Sequence, residues 1–403
     1  MDSFTKVKYI ALFSLILFFT VSLYWTVVGR EKRALFLLAV SLVCVSLFSF
    51  KFALFFLINT YFVYRAGLYI REGGAQKGLM IRWGLILLVA NLCFFKYANE
   101  VMVLLNHLAA TWGGLPEIDL PVILLPVGIS YLTFRLIHYL VETYRGTLPE
   151  NSFTDLLLYV LFFPTFLAGP VERFQNFKPQ AASPKRLDMA DVNYGLFRIA
   201  AGIFRKFIIA DNMGRLILPV LHEPSAYSGA AVLVCVYGLI IRIYMDFAGY
   251  TDMAIGISRL FGYHIMENFN KPLLQKNIAL YWRNWHISVY SWIRDYFFFP
   301  FFGYRASMLR VYTGMFLTLL IFMVWHEASP GYFIGGCYHG LGIVIWQLFQ
   351  EVKYKNKTLR KFMMKPAVGI VSIFLTFNFV ALGVPLYMFS YSQVMNIFTR
   401  ILT

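Results

Sequence analysis

The sequence predicts an all-α fold: a polytopic membrane helical bundle of roughly eleven spans, with re-entrant or interfacial helices beside them. Three observations carry that expectation. Hydrophobic residues make up 59% of the 403 and charged residues only 14%, against about 25% charged in an ordinary soluble domain. Apolar windows near the ~20 residues that a spanning helix needs recur along the whole chain. Segments such as IALFSLILFFTVSLYW do not alternate apolar with polar residues, as the strands of a membrane β-barrel would. The sequence holds no internal repeat and no low-complexity tract, so residues 1–403 read as a single membrane domain.

The apolar run from Tyr9 to Val28 is long for the core of a signal peptide, and no small-residue cleavage site follows it. It reads as the first span. It ends at GREKR, residues 29–33, a basic segment expected on the cytoplasmic side. Runs over 34–49 and 52–70 lead to a second basic loop, IREGGAQKGLMIRW, on the same side. A helix over 83–97 leads outward to 98–120, where Glu100, Glu117 and Asp119 suggest an external loop. Runs over 121–141 and 153–169 follow, and then VERFQNFKPQAASPKR, residues 171–186, again basic and expected in the cytoplasm. Spans are expected over 195–220 and 228–248. Residues 265–305 mix aromatic and basic residues too closely for a simple span and suit an interfacial or re-entrant segment packed against protein. Helices over 311–325 and 333–350 form a hairpin around His326. The basic segment 353–365 returns to the cytoplasm, and 367–390 takes the chain outward.

The formal net charge of +16 would suggest nucleic acid in a soluble protein. Here the lysines and arginines cluster in short loops, which the positive-inside rule explains without a nucleic-acid partner. A secondary role in attracting an acidic carrier or anionic membrane lipids stays open. Cys44, Cys93, Cys235 and Cys337 form no CxxC pair and sit in apolar stretches, so neither disulfides nor zinc are expected.

Ionisable groups in lipid are costly, which makes intramembrane ones functional candidates. They gather in three places. VWHEASPGYFIGGCYHG holds His326, Glu327 and His339. IRIYMDFAGYTDMAIG holds Arg242, Asp246 and Asp252. YWRNWHISVYSWIRD holds Arg283, His286, Arg294 and Asp295, with the polar Asn284 among them as a further supporting residue. Fifteen residues of helix before His326 reach roughly 22 Å, short of the roughly 30 Å hydrocarbon layer. His326 is therefore expected inside the protein, past the midplane. Ser329, Pro330 and Gly331 break the helix there, and unwound backbone at that depth belongs beside a cavity. Two readings of His326 stand side by side: a general base, since free imidazole titrates near pH 6.5, or a hydrogen-bonding link between helices.

His339 reads first as a packing residue beside Gly340, and second as a wall of the same cavity. Cys337 reads as a small buried residue rather than an acyl carrier. Arg242 and Asp246 are four apart on one helix and are expected to pair. Asp252, after Gly249, suggests a helix cap. Arg283 and Arg294 suit snorkelling at an interface. His286 sits between aromatics, away from any water-facing run. His286, His326, His339 and Glu327 lack the close pairing of HExxH, so no metal is expected.

At these residues the sequence resembles the bacterial branch of the membrane-bound O-acyltransferase (MBOAT) family. The resemblance rests on YMDFAGYTDMAIGISRLFG, ENFNKPLLQKNIALYWRNWHISVYSWIRDYFFFP and VWHEASPGYFIGGCYHG, with LPVGISYLTF and LFFPTFLAGPVERFQNF upstream, and covers roughly residues 80 to 350. It implies a tunnel across the membrane and places the family's two functional histidines on His286 and His326, with His326 in the chemistry. The family usually has Gly after that histidine, where this chain has Glu327. GYTDMAIG and WRNWHIS are closer to alginate O-acetyltransferases; GISYLTF, FFPTF and FLTFNFVAL are closer to teichoic-acid D-alanyltransferases. What the resemblance implies is an acyl group, acetyl ahead of D-alanyl, that arrives on a cytoplasmic thioester (acetyl-CoA or an acyl carrier protein) and leaves on a hydroxyl of a cell-surface polysaccharide or teichoic acid. No bound cofactor is expected. An acyl carrier protein and a periplasmic or extracellular esterase-like protein are the expected partners, and the cytoplasmic (inner) membrane the expected location. The rival class is a transporter or flippase, which would use buried charges for coupling.

Overall fold

A computed structural model describes residues 3–111, 121–183, 186–303 and 307–403. Among them there is no strand, only an isolated antiparallel bridge between Phe269 and Trp285. The chain forms two compact units, Met1–Ala200 with Met253–Met266, and Ala201–Asp252 with Glu267–Thr403.

The first unit contains α1 (Ser3–Thr26), α2 (Arg33–Phe48), α3 (Phe50–Arg71), α4 (Lys77–Thr111), α5 (Ile129–Arg145), α6 (Phe153–Leu161), α7 (Phe174–Ala182) and most of α8 (Met189–Ile203). Its centre is a buried cation. Arg135 on α5 is 1% exposed. It donates to the carbonyls of Tyr159 and Val160 (2.9 Å each), to the Thr165 carbonyl (3.2 Å) and to Thr165 Oγ1 (2.6 Å). The carbonyls at a helix C-terminus have no partner within the helix, and a guanidinium there satisfies them and complements the helix dipole. This explains why α6 stops after nine residues. The chain then turns back through Glu172, a buried carboxylate that accepts from the backbone N–H groups of Arg173 (2.8 Å) and Met266 (2.7 Å). His138 Nε2 accepts from the Phe174 N–H at 2.9 Å. The LFFPTFLAGPVERF segment is thus held by polar groups and is not a lipid-facing span.

The second unit contains a π-helical turn (Phe204–Ala210), α9 (Asp211–His222), most of α10 (Gly229–Leu260), α11 (Ile278–Asn284), α12 (Ile287–Ile293) and a second π-helical segment (Arg294–Gly303). It continues with α13 (Met308–His326), α14 (Pro330–Lys355), α15 (Lys357–Met363), α16 (Pro366–Gly383), α17 (Pro385–Met388) and α18 (Tyr391–Leu402). Residues 265–303 hold a 3-10 turn (Pro272–Leu274), α11, α12 and the second π-helical segment in place of one long helix.

Six helical stretches among the described residues are long and apolar enough to cross a membrane: α3, α4, α10, α13, α14 and Pro366–Met388. The other five expected spans are shorter or broken. In α1 the apolar stretch is Ala11–Thr26; α2 has 16 residues, α5 has 17 and α6 has nine; the run over 195–220 is interrupted by the first π turn. The apolarity of α6 belongs to protein core, since Leu156 through Leu161 are all buried. The external loop expected at 98–120 is also corrected in part, because α4 stays helical to Thr111. Glu117 and Asp119 lie outside the described residues.

Candidate functional site

The candidate site lies within the second unit, where three local devices position it. The first is the turn that carries His286. Asn277 caps α11, its side chain accepting from the Leu280 N–H at 2.9 Å. After α11 the chain reaches His286 in the left-handed region, φ 45° and ψ 50°. That conformation costs a non-glycine residue about 1–2 kcal/mol and persists only where surrounding bonds over-determine it. They do so here. The Asn268 carbonyl accepts from the Ile287 N–H (2.9 Å) and Asn268 Oδ1 from the Ser288 N–H (3.3 Å). The His286 carbonyl accepts from the N–H groups of Val289 (3.1 Å) and Tyr290 (2.9 Å), which opens α12. Asn268 and His286 are both 0% exposed.

The second device is the α13–α14 hairpin. Ser307 caps α13 and Ser329 caps α14, with Pro330 in its first turn, where a missing N–H costs nothing. Gly336 and Gly340, one helical turn apart on α14, let the two backbones approach. A Cβ on Gly336 would lie 3.0 Å from Leu320 Cα, and one on Gly340 3.0 Å from the Phe316 carbonyl oxygen. Small residues at this spacing are how membrane helices pack closely without a hydrophobic driving force. His326 is the last residue of α13, and Glu327 beyond it is extended.

The third is the aromatic packing that joins them. The His286 and His326 ring centroids are 6.4 Å apart. Phe322 lies 6.0 Å from His286 and 5.2 Å from His326, Trp325 lies 4.5 Å from His326, and Phe247 lies 4.6 Å from His286. Tyr332 stacks on His326 at 6.3 Å and 29°. The two histidines, forty positions apart in sequence, thus share one cluster. Their exposures differ completely. His286 is fully buried and His326 is exposed. The expectation that His326 lies inside the protein is corrected accordingly: the helix break puts its imidazole at an accessible edge. The same burial keeps His286 from offering a donor directly to a substrate in this conformation, so its place is behind His326.

His339 on α14 is 1% exposed and boxed by Trp282 (5.1 Å), Tyr338 (5.3 Å) and Phe379 (5.7 Å), an aromatic packing environment. Glu327 is exposed and makes no hydrogen bond or ion pair among the described residues. Arg283 is exposed; Asn284 donates to the Leu280 carbonyl of its own helix (2.8 Å); Arg294 pairs with the adjacent Asp295 (2.8 Å). Cys337 is half-buried.

Two expected roles on α10 are corrected. Asp246 pairs with Lys206 at 2.5 Å and not with Arg242, whose guanidinium instead lies over Gly214. Asp252 does not cap a helix; it sits mid-helix in α10 and pairs with Arg205. Both cations come from the first π turn, whose extra residue per turn re-aims adjacent side chains toward α10. Nothing in the spacing around Asp246 or Asp252 signals partners 40 and 47 residues away. Asn268 was also invisible as a site residue, since an Asn in a loop carries no periodic signal.

The chain belongs to the membrane-bound O-acyltransferase family, whose sequence pattern matches residues 80–393. It is similar to the probable alginate O-acetylase AlgI of Pseudomonas aeruginosa, 36% identical over 326 residues that cover 79% of this chain and 61% of the relative. It is 34% identical to the teichoic acid D-alanyltransferase of Bacillus subtilis, over 66% of this chain and 68% of the relative. It is 29% identical to the peptidoglycan O-acetyltransferase of Helicobacter pylori, over 77% of this chain and 62% of the relative. The match thus spans less than two thirds of the length of that alginate O-acetylase.

Proposed function

We propose that the chain is an O-acyltransferase of a cell-surface polymer and that His326 is its general base. The single observation that carries this is the histidine pair: an accessible imidazole at a helix break, held 6.4 Å from a fully buried one in a strained turn. Strain at a residue clustered with an accessible base is characteristic of a functional site.

The chemistry follows from the groups. A hydroxyl is a weak nucleophile until its proton is removed. His326 takes that proton, the oxygen attacks the thioester carbonyl, the C–S bond breaks, and the thiolate leaves and is protonated. General-base catalysis of this kind contributes about 10²–10⁴-fold. His286 acts as a positioning residue that fixes the orientation of the cluster. Acetyl is the favoured group, by similarity to the alginate O-acetylase, with an acetylated exopolysaccharide as product. D-alanyl transfer is the second reading, favoured by the Bacillus subtilis relative, most of whose length the chain covers. The donor would be acetyl-CoA or an acyl carrier protein on the cytoplasmic side, with an esterase-like partner finishing delivery outside. The chain would cross the cytoplasmic (inner) membrane and enclose a tunnel between donor and acceptor.

The test is product chemistry in cells. Deleting the protein should leave the polymer exported at normal yield but without its ester groups. Loss of polymer export, with normal acylation of what remains, would instead identify a transporter.

A further inference from the structure

We propose that a groove on the second unit, formed by α11, α14 and α16, binds one anionic phospholipid. The groove has a volume of about 480 Å³ and is lined mainly by Ile345, Trp346, Phe349, Leu375 and Phe379, with Lys276 at one end. Lys276 lies over the first turns of α16: its Cε and Nζ would be 3.4 Å from a Cβ on Gly369. Its ammonium has no acidic partner among the described residues.

Two observations choose the ligand. The first is charge. The last turn of α14 and the segment that joins it to α16 carry Lys353, Lys355, Lys357, Arg360, Lys361 and Lys365, with no acidic residue from 353 to 365. Lys276 at the start of α16 continues this field along the mouth of the groove. Basic clusters of this size beside membrane helices attract anionic headgroups, each residue contributing about 1 kcal/mol near the surface. The second is length. From Gly369 to Phe379 is ten residues of helix, about 15 Å at 1.5 Å per residue. This is half the roughly 30 Å hydrocarbon layer, the depth of one acyl chain in one leaflet. A soluble anion would satisfy the lysines but leave the apolar walls bare, and a neutral lipid would fill the walls but leave the basic mouth uncompensated.

The experiment is native mass spectrometry of the full chain, purified in detergent and incubated with equimolar phosphatidylglycerol and phosphatidylcholine. The expected spectrum shows one retained phosphatidylglycerol per chain, not displaced by excess glycerol 3-phosphate. Lys276→Gln should lower that bound fraction about fivefold, the effect of one lysine near an anionic surface. Ile345→Trp, at a position 64% exposed and therefore safe for folding, should fill the groove and abolish the adduct. Equal retention of the two lipids, displacement by glycerol 3-phosphate, or an adduct unchanged in Lys276→Gln and Ile345→Trp would overturn the proposal. None of these readouts depends on acyl transfer, so they stand or fall separately from the proposed reaction.

Discussion

Asn268→Ala tests how the site is held. The substitution keeps the Asn268 carbonyl bond to Ile287 N–H but removes the Oδ1 acceptor of Ser288 N–H. Ser288 is 0% exposed, so its N–H loses its partner where water does not replace it, at a cost of about 1–3 kcal/mol. The left-handed backbone of His286 stores about 1–2 kcal/mol. The two magnitudes are comparable, so loss of this tie is enough to let the turn relax and His286 leave its place beside Phe322 and His326. A displacement near 1 Å in a supporting group costs up to about 100-fold in rate. The expected result is a folded protein with a modestly lower unfolding temperature, kcat down about 10–100-fold and KM little changed. If Asn268 acts through His286, the pair should also be non-additive: His286→Ala and the double variant should be about equally impaired. Full kcat in a folded Asn268→Ala protein, or strict additivity with His286→Ala, would refute this account of the turn.

Three further outcomes follow from the same geometry. Gly340→Leu should push α13 and α14 apart, because its Cβ meets the Phe316 backbone oxygen at 3.0 Å; overpacking of this kind costs about 1–3 kcal/mol, read as a lower unfolding temperature with activity lost in parallel. The Lys206–Asp246 pair is partly exposed on both sides, 29% and 46%, so a double-mutant cycle with Lys206→Met and Asp246→Asn should give a coupling below about 1 kcal/mol; a coupling of several kcal/mol would mean the pair is desolvated in the membrane. Glu327→Gln should leave the apparent pKa of the pH–rate profile within about one unit, because Glu327 is exposed and a charge acting through water contributes about 1 kcal/mol or less. A larger fall in that pKa would show that Glu327 does support the imidazole.

The long elements were legible because length and apolarity report them directly. The helices α3, α4, α10, α13 and α14 are each long enough to carry that signal. What failed was the inference from apolar to lipid-facing. The six residues from Leu156 to Leu161 are apolar because they surround Arg135 and pack as core. Composition cannot tell a nine-residue core helix in a longer apolar run from a membrane span. The hairpin at His326 was legible from Ser329, Pro330 and Gly331, since capping and helix breaking act locally. The partners of Asp246 and Asp252 were not, because a π turn changes which side chains face α10 and leaves no mark in spacing. The approach of His286 to His326 is likewise a tertiary fact, and the resemblance to a family pointed to both residues without giving their different exposures.

The central claim is that His326 is the base that activates the acceptor hydroxyl. Its most direct test is the rate of polymer acylation by His326→Ala, purified and shown by its unfolding transition to be folded, beside the wild-type protein at equal concentration. The account predicts transfer reduced at least ~100-fold, the lower range for losing a general base, with the folded fraction unchanged. A folded His326→Ala protein that transfers acyl groups at the wild-type rate would contradict it.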